Sequence, residues 1–261
     1  MPPQVSVIIL CHNDKRYLRD CVGSVNRHTE PGLCELIIVD NGSADNPLPD
    51  IQAIKRVSAA PVRVIRNKTN RFFGPANNQG LAAARAPFVL FLNADIIATP
   101  GWLSSMLGTL RGNPRLGLVG PMTNSAVGFQ LVNDPCRDVR RLPRWAAEWK
   151  KGRPAVVKLA PWIIGFCALM PRGLAAGLGG FDELYGPGGY EDYDLCLKTR
   201  LAGREIGIAQ DSYVHHFGGM GYAGMDYDGM RRSNRELYRR KWCGLVRRKL
   251  EEKYETAVRP R

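Results

Sequence analysis

The octapeptide Phe-Val-Leu-Phe-Leu-Asn-Ala-Asp at residues 88–95 decides the fold. Its first five residues are all apolar, which is typical of a strand buried on both faces of a parallel sheet. Helices cover both faces of such a sheet, so ligands bind at the carboxyl ends of its strands, where Asn93 and Asp95 would lie. The alternative is that both residues only precede the helix start at Thr99 and Pro100.

On both sides of this stretch, apolar runs alternate with helical patterns along most of the chain. The predicted strands are residues 5–10, 36–39, 62–65, 88–92, 116–120 and 206–208, and the predicted helices include 15–27, 46–57, 74–85 and 99–110. The alternation predicts an α/β fold with a Rossmann-like, mainly parallel central sheet and helices on both faces. With 261 residues the chain can bury one large core, so we expect one main domain over residues 1–222.

Three further polar sites follow predicted strands or a glycine-rich segment. They are Asp40-Asn41-Gly42, the acidic residues Glu191, Asp192 and Asp194 after Gly186-Pro187-Gly188-Gly189, and the pair His215-His216. Each has a structural alternative when taken singly: a turn, a helix start that favours acidic residues, or a structural histidine. Their shared position beyond strand ends predicts one common crevice.

Five ordered blocks give the chain its resemblance to a known family. The blocks are residues 5–13, 37–45, 70–84, 88–95 and 181–216. Together they make the chain resemble a family 2 glycosyltransferase of the GT-A fold, of the rhamnosyltransferase-like, cell-surface polysaccharide type. The resemblance implies a nucleotide-binding part at about residues 1–120, an acceptor-side part at about 121–222, and a basic helical extension at 223–261.

The resemblance also implies an inverting glycosyltransferase that moves a hexosyl or deoxyhexosyl group from a nucleoside-diphosphate sugar to a hydroxyl of a glycan or lipid-linked acceptor. The donor-binding residues would be Asn13, Asp40, Asn41, Asn70, Asn77, Asn78, Asn93 and Asp95. Asp40 would recognise the base. A carboxylate can accept from the imide N–H of uracil or thymine or from the N–H groups of guanine, so UDP-, dTDP- and GDP-sugars are candidates.

Asn93-Ala94-Asp95 resembles the family's Asp-x-Asp metal motif with its first acid replaced. Asp95 would therefore hold Mn²⁺ or Mg²⁺ through hard oxygen ligands. Whether Asn93 contacts the ribose or the metal stays open. A downstream histidine would complete the site, and the spacing favours His216 over His215. An imidazole ligand suits Mn²⁺ better than Mg²⁺.

In the glycine-led acidic block, Asp192 matches the family's catalytic base. It would deprotonate the acceptor hydroxyl, and a single carboxylate opposite a leaving group implies one displacement with inversion. Glu191 would support it or contact the acceptor, and Asp194 would fix the helix start.

One block departs from the family pattern, because Phe72 stands where relatives usually have glycine. Phe72 is expected to narrow the donor pocket, so the sugar cannot be inferred from relatives. Asn77 and Asn78, in the first turn of the next helix, would contact donor hydroxyls or phosphate; the alternative is that they pack that turn.

The net charge of +13 is concentrated at one end, since residues 229–261 contain twelve Lys or Arg against four Glu. A helix at 226–242 would place Tyr238, Trp242 and Leu245 on one face with basic residues beside it. This pattern fits adhesion to an anionic membrane surface, and equally a solvated helix docked on the main domain.

The remaining composition narrows the class of protein. Seven cysteines without metal or redox spacing indicate reduced thiols, and neither a signal peptide nor a membrane-spanning stretch is predicted, so we expect a cytoplasmic protein, peripheral at the inner face of the membrane if the tail binds lipid. Two alternatives are a sugar-nucleotide pyrophosphorylase, for which residues 11–14 are a poor phosphate loop, and a non-enzymatic polyanion binder. We expect no nucleic-acid partner, because charge alone leaves the acidic sites unexplained.

Overall fold

The computed structural model describes residues 2–133, 135–136, 138–153, 155–218, 226–242 and 246. The strands are Val5–Cys11 (β1), Cys34–Asn41 (β2), Val62–Asn67 (β3), Phe88–Asn93 (β4), Ile96–Ala98 (β5), Leu116–Thr123 (β6), Val157–Leu159 (β7), Cys167–Pro171 (β8) and Glu205–His216 (β9). The helices are Lys15–His28 (α1), Leu48–Val57 (α2), Phe73–Ala83 (α3), Trp102–Gly112 (α4), Leu142–Lys151 (α5), Arg172–Gly177 (α6), Glu191–Leu201 (α7) and Tyr227–Lys241 (α8). A 3₁₀ turn, Glu183–Tyr185, lies between α6 and α7.

All the described strands join one sheet with the order β3-β2-β1-β4-β8-β6-β9-β5, and β7 pairs with β9. The β3-β2-β1-β4 half is parallel, as is the β6-β9 pair, whereas β8 is antiparallel to both of its neighbours. This confirms the predicted α/β fold with a mainly parallel central sheet. The chain direction across the sheet reverses at β1, which lies between β2 and β4, and such a reversal opens a crevice at the strand ends.

Apolar strands of the parallel half are buried on both faces. Val7 and Ile9 of β1 pack in the core layer that contains Leu18 of α1 and Trp102 of α4. Ile8, pointing the other way, packs in the layer that contains Ala76 of α3. The continuous apolar runs of the sequence therefore reflect helices on both sides of the sheet.

The sequence patterns do not predict β5, β7 or β8, and they predict only the start of β9. Most of β8 lies in the apolar stretch at residues 159–170. Periodicity alone cannot distinguish such a stretch from a buried helix. β9 continues to His216 across a shift in its pairing with β6, and so carries both histidines.

The basic helix predicted at residues 226–242 exists as α8, and Asp226 caps it by accepting a hydrogen bond from the Gly229 N–H. Leu245, the proposed boundary near residue 222 and the tail beyond residue 246 lie outside the described residues. Within the described part, no helix combines the length and apolar character that crossing a bilayer requires. The six described cysteines are all free thiols.

Candidate active site

The carboxyl ends of β1, β2 and β4 meet at one edge of the sheet. The register places Cys11 beside Asp40 and Leu10 beside Asn93. A cavity of about 450 Å³ opens there. Seven of the predicted site residues line it: Asn41, Asn70, Asn93, Asp95, Glu191, Asp192 and His216. Segments more than 170 residues apart in sequence therefore meet in one hollow.

Asn41 organises one wall of this cavity. Its side chain is 1% exposed; Nδ2 donates to Asn70 Oδ1 at 2.8 Å and to the Phe72 carbonyl at 3.2 Å. Its Oδ1 accepts from Asn67 Nδ2 and from the Arg71 N–H. The amide thus fixes the loop between β3 and α3, and the Asn41 carbonyl also accepts from His12 Nδ1 at 2.9 Å.

Phe72 lies on this wall in a conformation that glycine would adopt more easily. Its φ is +67° and ψ is 177°, a region that only glycine occupies without strain. Its side chain is 39% exposed and lines the cavity, as expected for a residue that narrows the donor pocket. Gly42, on the facing loop, has a φ of +69°, and a Cβ there would lie 2.4 Å from the Thr69 backbone.

Asp40 and Asn13 lie beside the cavity rather than on its lining. Asp40 is 3% exposed, accepts from the Ser43 N–H at 3.1 Å and pairs with Arg66 Nε at 3.5 Å. Asn13 accepts from the Ala44 N–H at 2.8 Å. Access of a nucleotide base to Asp40 would need the exposed Arg66 side chain to move.

Asn77 and Asn78, predicted either to contact the donor or to pack the first turn of their helix, lie off the lining of this cavity. Asn78 donates to the Phe181 carbonyl and accepts from the Phe181 N–H, so it ties α3 to the segment before α7. Asn77 is 1% exposed and donates to the Phe73 carbonyl within its own helix. Neither lines the cavity, because this face of α3 packs inward.

Asp95 and His216 form the most polar corner of the cavity. They are 5% and 8% exposed, and Asp95 Oδ1 lies 3.4 Å from His216 Nε2. His216 Nδ1 donates to the Ser125 carbonyl at 2.9 Å, and the ring stacks on Phe166. Because a carbonyl only accepts, the proton sits on Nδ1 and Nε2 is left as the atom that faces Asp95.

This corner fits a divalent cation. Asp95 Oδ1 and His216 Nε2 are both buried without a hydrogen-bond partner, and a hydrogen-bonded Nδ1 is the usual support of a metal-binding imidazole. Within the described residues no three acidic, cysteine or histidine side chains converge on a point. Asp95 Oδ1 and His216 Nε2 are two atoms that could bind a cation here. His215 points to the other side of β9, and burial, together with the charge of His216, lowers its pKa.

Asp14 is a third polar residue of this corner, and it was not predicted from the sequence. It lines the cavity at the start of α1, yet its side chain makes no capping hydrogen bond to the helix. Burial, and then the negative charge of Asp95, raise its pKa to about 6. Asp is common at the start of helices for structural reasons alone. Nothing in the sequence therefore marked Asp14 as a residue of the site.

Glu191 and Asp192 face this corner from the first turn of α7. Asp192 Oδ2 accepts from the Gly165 N–H at 3.1 Å, and Oδ1 accepts from the Tyr193 N–H at 2.8 Å. A Cβ at Gly165 would come 3.1 Å from the Asp192 Cβ, so glycine permits this approach. Burial raises the pKa of both carboxyls, and the charge of Asp192 raises that of Glu191 further. The Asp192 carboxylate therefore takes up a proton more readily than an ordinary aspartate does.

Two residues of α8, Tyr227 and Arg231, also line the cavity and were not predicted. Arg231 packs against Gly189, and its guanidinium lies 6.0 Å from the centre of the Tyr227 ring. Burial raises the pKa of Asp192, and the hydrogen bonds from the Gly165 and Tyr193 N–H groups and then, to a smaller extent, the positive charge of Arg231 lower it. A basic residue in a basic helix gave no sequence signal that it faces a cavity.

We expect Arg231→Gln to move the acid limb of the pH–rate profile for sugar transfer to higher pH. Removing the guanidinium raises the pKa of Asp192, so at acidic pH a larger fraction of this residue is protonated and cannot act as a base. The rate at pH 6 falls several-fold, whereas the plateau at high pH changes little. Arg232→Gln, which removes an exposed charge on the same helix, is the control; equal profiles for both variants would contradict the assignment.

The sequence matches the family described as Glycosyl transferase family 2 over residues 6–176. The chain belongs to this family. The pre-mycofactocin glycosyltransferase of Mycobacterium tuberculosis is 29% identical over 214 residues, which are 81% of this chain and 42% of that protein. The chain spans only 23% of another relative, the uncharacterized protein y4gI of Sinorhizobium fredii. The match thus spans less than half the length of either relative.

Solved structures show the same fold. A mannosyltransferase from Pyrobaculum calidifontis, in complex with GDP-Man and Mn²⁺, aligns with a TM-score of 0.64 at 18% identity, over 89% of this chain and 61% of that one. GalNAc-T7 with UDP, GalNAc and Mn²⁺ aligns with a TM-score of 0.65 at 16% identity, over 82% of this chain and 44% of that one. These similarities establish the GT-A fold.

Proposed function

We propose that the protein is an inverting, metal-dependent glycosyltransferase that uses a nucleoside-diphosphate sugar. The observation that carries the proposal is that Asp192, a partly buried carboxylate whose pKa is raised, lines the same cavity as the Asp95–His216 pair. A base and a cation site in one cavity are what a single displacement at an anomeric carbon needs.

In this mechanism, Asp95 and His216 would hold a divalent cation, Mn²⁺ or Mg²⁺, which would supply positive charge to neutralise the departing diphosphate. Asp192 accepts the proton of the acceptor hydroxyl while that oxygen bonds to the anomeric carbon. The bond from this carbon to the diphosphate oxygen breaks, and the nucleoside diphosphate leaves. Attack opposite the leaving group inverts the configuration.

The chain's other residues shape the donor site. Asn41 and Asn70 hold the loop that carries Phe72 against the sugar, and Asn93 lies at the end of β4 within reach of the ribose or cation. Asp40 recognises the base once Arg66 moves, which favours uracil, thymine or guanine over adenine. The GDP-Man and UDP bound in the structural neighbours support a donor of this class.

The proposal is tested by a donor screen. Purified protein is incubated with UDP-, dTDP- and GDP-sugars, with Mn²⁺, with Mg²⁺ or with chelator, and released nucleoside diphosphate is measured. We expect slow hydrolysis of one donor class, greater with Mn²⁺ than with Mg²⁺ and absent with chelator. Hydrolysis that chelator leaves unchanged would contradict the metal assignment, and no turnover of any donor would contradict the activity.

The acceptor we propose is a hydroxyl of a glycan or lipid-linked intermediate of cell-surface polysaccharide synthesis, at the cytoplasmic face of the membrane. The structure turns Tyr238 and Trp242 inward, so these two residues of the face pack on the protein, as in the alternative of a helix docked on the main domain. Four exposed residues of α8 are the arginines Arg232, Arg235, Arg239 and Arg240, and one of them, Arg240, pairs with the exposed Glu236. Peripheral binding would therefore be electrostatic.

We expect the protein to sediment with vesicles that contain anionic lipid, and to be released by salt. Replacing the four outward arginines with Gln should weaken this binding, since each basic residue near an anionic surface contributes about 1 kcal/mol. Neutral vesicles are the control. Equal retention of the wild type and the four-fold variant on anionic vesicles would contradict membrane binding through α8.

A further inference from the structure

The inward face of α8 contacts the loop that leads into the catalytic helix α7. Asn234 is 8% exposed, and its Nδ2 donates to two carbonyls, those of Tyr185 at 2.7 Å and Gly188 at 2.9 Å. The first carbonyl lies just before the glycine-rich turn at residues 186–189, and the second lies within it. One side chain of α8 therefore holds the start and the middle of the turn that precedes Glu191.

This turn has a backbone that needs external support. Gly186, Gly188 and Gly189 all have positive φ, and so does Tyr190, at +79°. A left-handed tyrosine persists only where its surroundings hold it. Tyr190 packs between Tyr193 of α7 and Tyr238 of α8, with ring centres 5.2 and 5.6 Å away. The support of the strained residue thus comes partly from α8.

Residues at the end of α8 also form hydrogen bonds with α7, the helix that begins with Glu191 and Asp192. Asp194 of α7 is fully buried, and its Oδ1 accepts from Lys241 Nζ at 2.6 Å, Trp242 Nε1 at 2.7 Å and the Tyr185 hydroxyl at 3.0 Å. Lys241 also pairs with Asp182. A buried carboxylate needs such partners, because an unpaired one would be strongly destabilising. Asp194 is two residues from Asp192, so this network fixes the first turn of α7.

We propose that Asn234 is a positioning residue for the transfer reaction, and that α8 holds the turn at residues 186–190 and the first turn of α7 so that Asp192 faces the acceptor. This inference rests on the proposed function. It makes the C-terminal helix part of the active site, in place of the separate extension that the sequence suggested. Neither Asn234 nor Trp242 lines the cavity, so each acts through the elements that it holds.

The experiment compares Asn234→Ala and Trp242→Phe with Ser233→Ala, an exposed neighbour on the same helix, in the full chain. Asn234→Ala removes both bonds to the turn. Trp242→Phe keeps an aromatic ring and removes only the bond to Asp194, which guards against simple loss of folding. Hydrogen exchange of each peptide is measured by mass spectrometry, and kcat and the donor KM are measured for the hydrolysis of the donor found in the screen.

In Asn234→Ala we expect exchange at residues 185–190 to become about tenfold faster, as the loss of a buried hydrogen bond allows, while β1, β2 and β4 stay protected. The kcat should fall about 10- to 100-fold through misplacement of the base, with the donor KM unchanged. Trp242→Phe should act in the same direction with a smaller effect, and Ser233→Ala should match the wild type.

Unchanged exchange at residues 185–190, or faster exchange there with unchanged kcat, would overturn the proposal. So would faster exchange throughout the chain with kcat and donor affinity lost together, which would indicate a general role in folding. Failure of the proposed function would appear differently, as no donor hydrolysis by the wild type, and the exchange comparison needs no substrate.

Discussion

Asp192→Asn is expected to reduce sugar transfer by about 10²- to 10⁴-fold, the contribution typical of a positioned general base. The amide has nearly the shape of the carboxylate but cannot accept the acceptor's proton. It can still accept from the Tyr193 N–H through its oxygen, so α7 should keep its position. Binding of the nucleoside diphosphate with Mn²⁺, measured by calorimetry, should be unchanged because it depends on the opposite side of the cavity.

The control is Asp20→Asn, which removes a carboxylate from an exposed position on α1. It should transfer at the wild-type rate. If Asp192→Asn instead lost transfer and nucleotide binding together, Asp192 would have a structural role. Wild-type transfer by Asp192→Asn would exclude it as the base.

Asp95→Ala is expected to weaken Mn²⁺-dependent donor binding at least about 100-fold. The change removes one of the two protein ligands that we propose, and even the loss of an outer-sphere partner typically costs 10- to 100-fold in metal affinity. His216→Ala should have a similar effect because Nε2 is the other unpartnered atom of this corner. Titration of Mn²⁺ by electron paramagnetic resonance, with and without nucleoside diphosphate, measures the loss.

Asn93→Ala serves as the comparison, since Asn93 lines the same cavity without a carboxylate. A much smaller loss of Mn²⁺ affinity than in Asp95→Ala would place the cation on Asp95. Mn²⁺ binding that is the same in Asp95→Ala and the wild type would show that the metal, if any, binds elsewhere.

The parallel half of the fold could be predicted because its signals are local. The run at residues 88–92 is apolar throughout since β4 is buried on both faces, and the Gly42 turn follows β2 where the strand pattern ends. β8 escaped prediction because its antiparallel pairing with β4 joins segments about 80 residues apart. Nothing within the segment itself records that partner.

Motif and strand-end position coincide for Asp95 and Asp192, and the structure brings these two predicted residues to one cavity. Periodicity identified the apolar face of α8 but could not tell whether lipid or protein covers it. The fold shows that protein does, and this brings Arg231 to the cavity. Likewise, Asn78 lies in a motif block, yet its hydrogen bonds go to Phe181, a contact that only the tertiary structure reveals.

If one hollow holds a cation, a diphosphate and a base, anomalous diffraction from crystals grown with Mn²⁺ and the preferred nucleoside diphosphate should locate the cation and the diphosphate there. We expect one strong manganese peak within bonding distance of Asp95 and His216, with the diphosphate between this peak and Asp192. A peak on other side chains, or a diphosphate outside the cavity, would contradict this expectation.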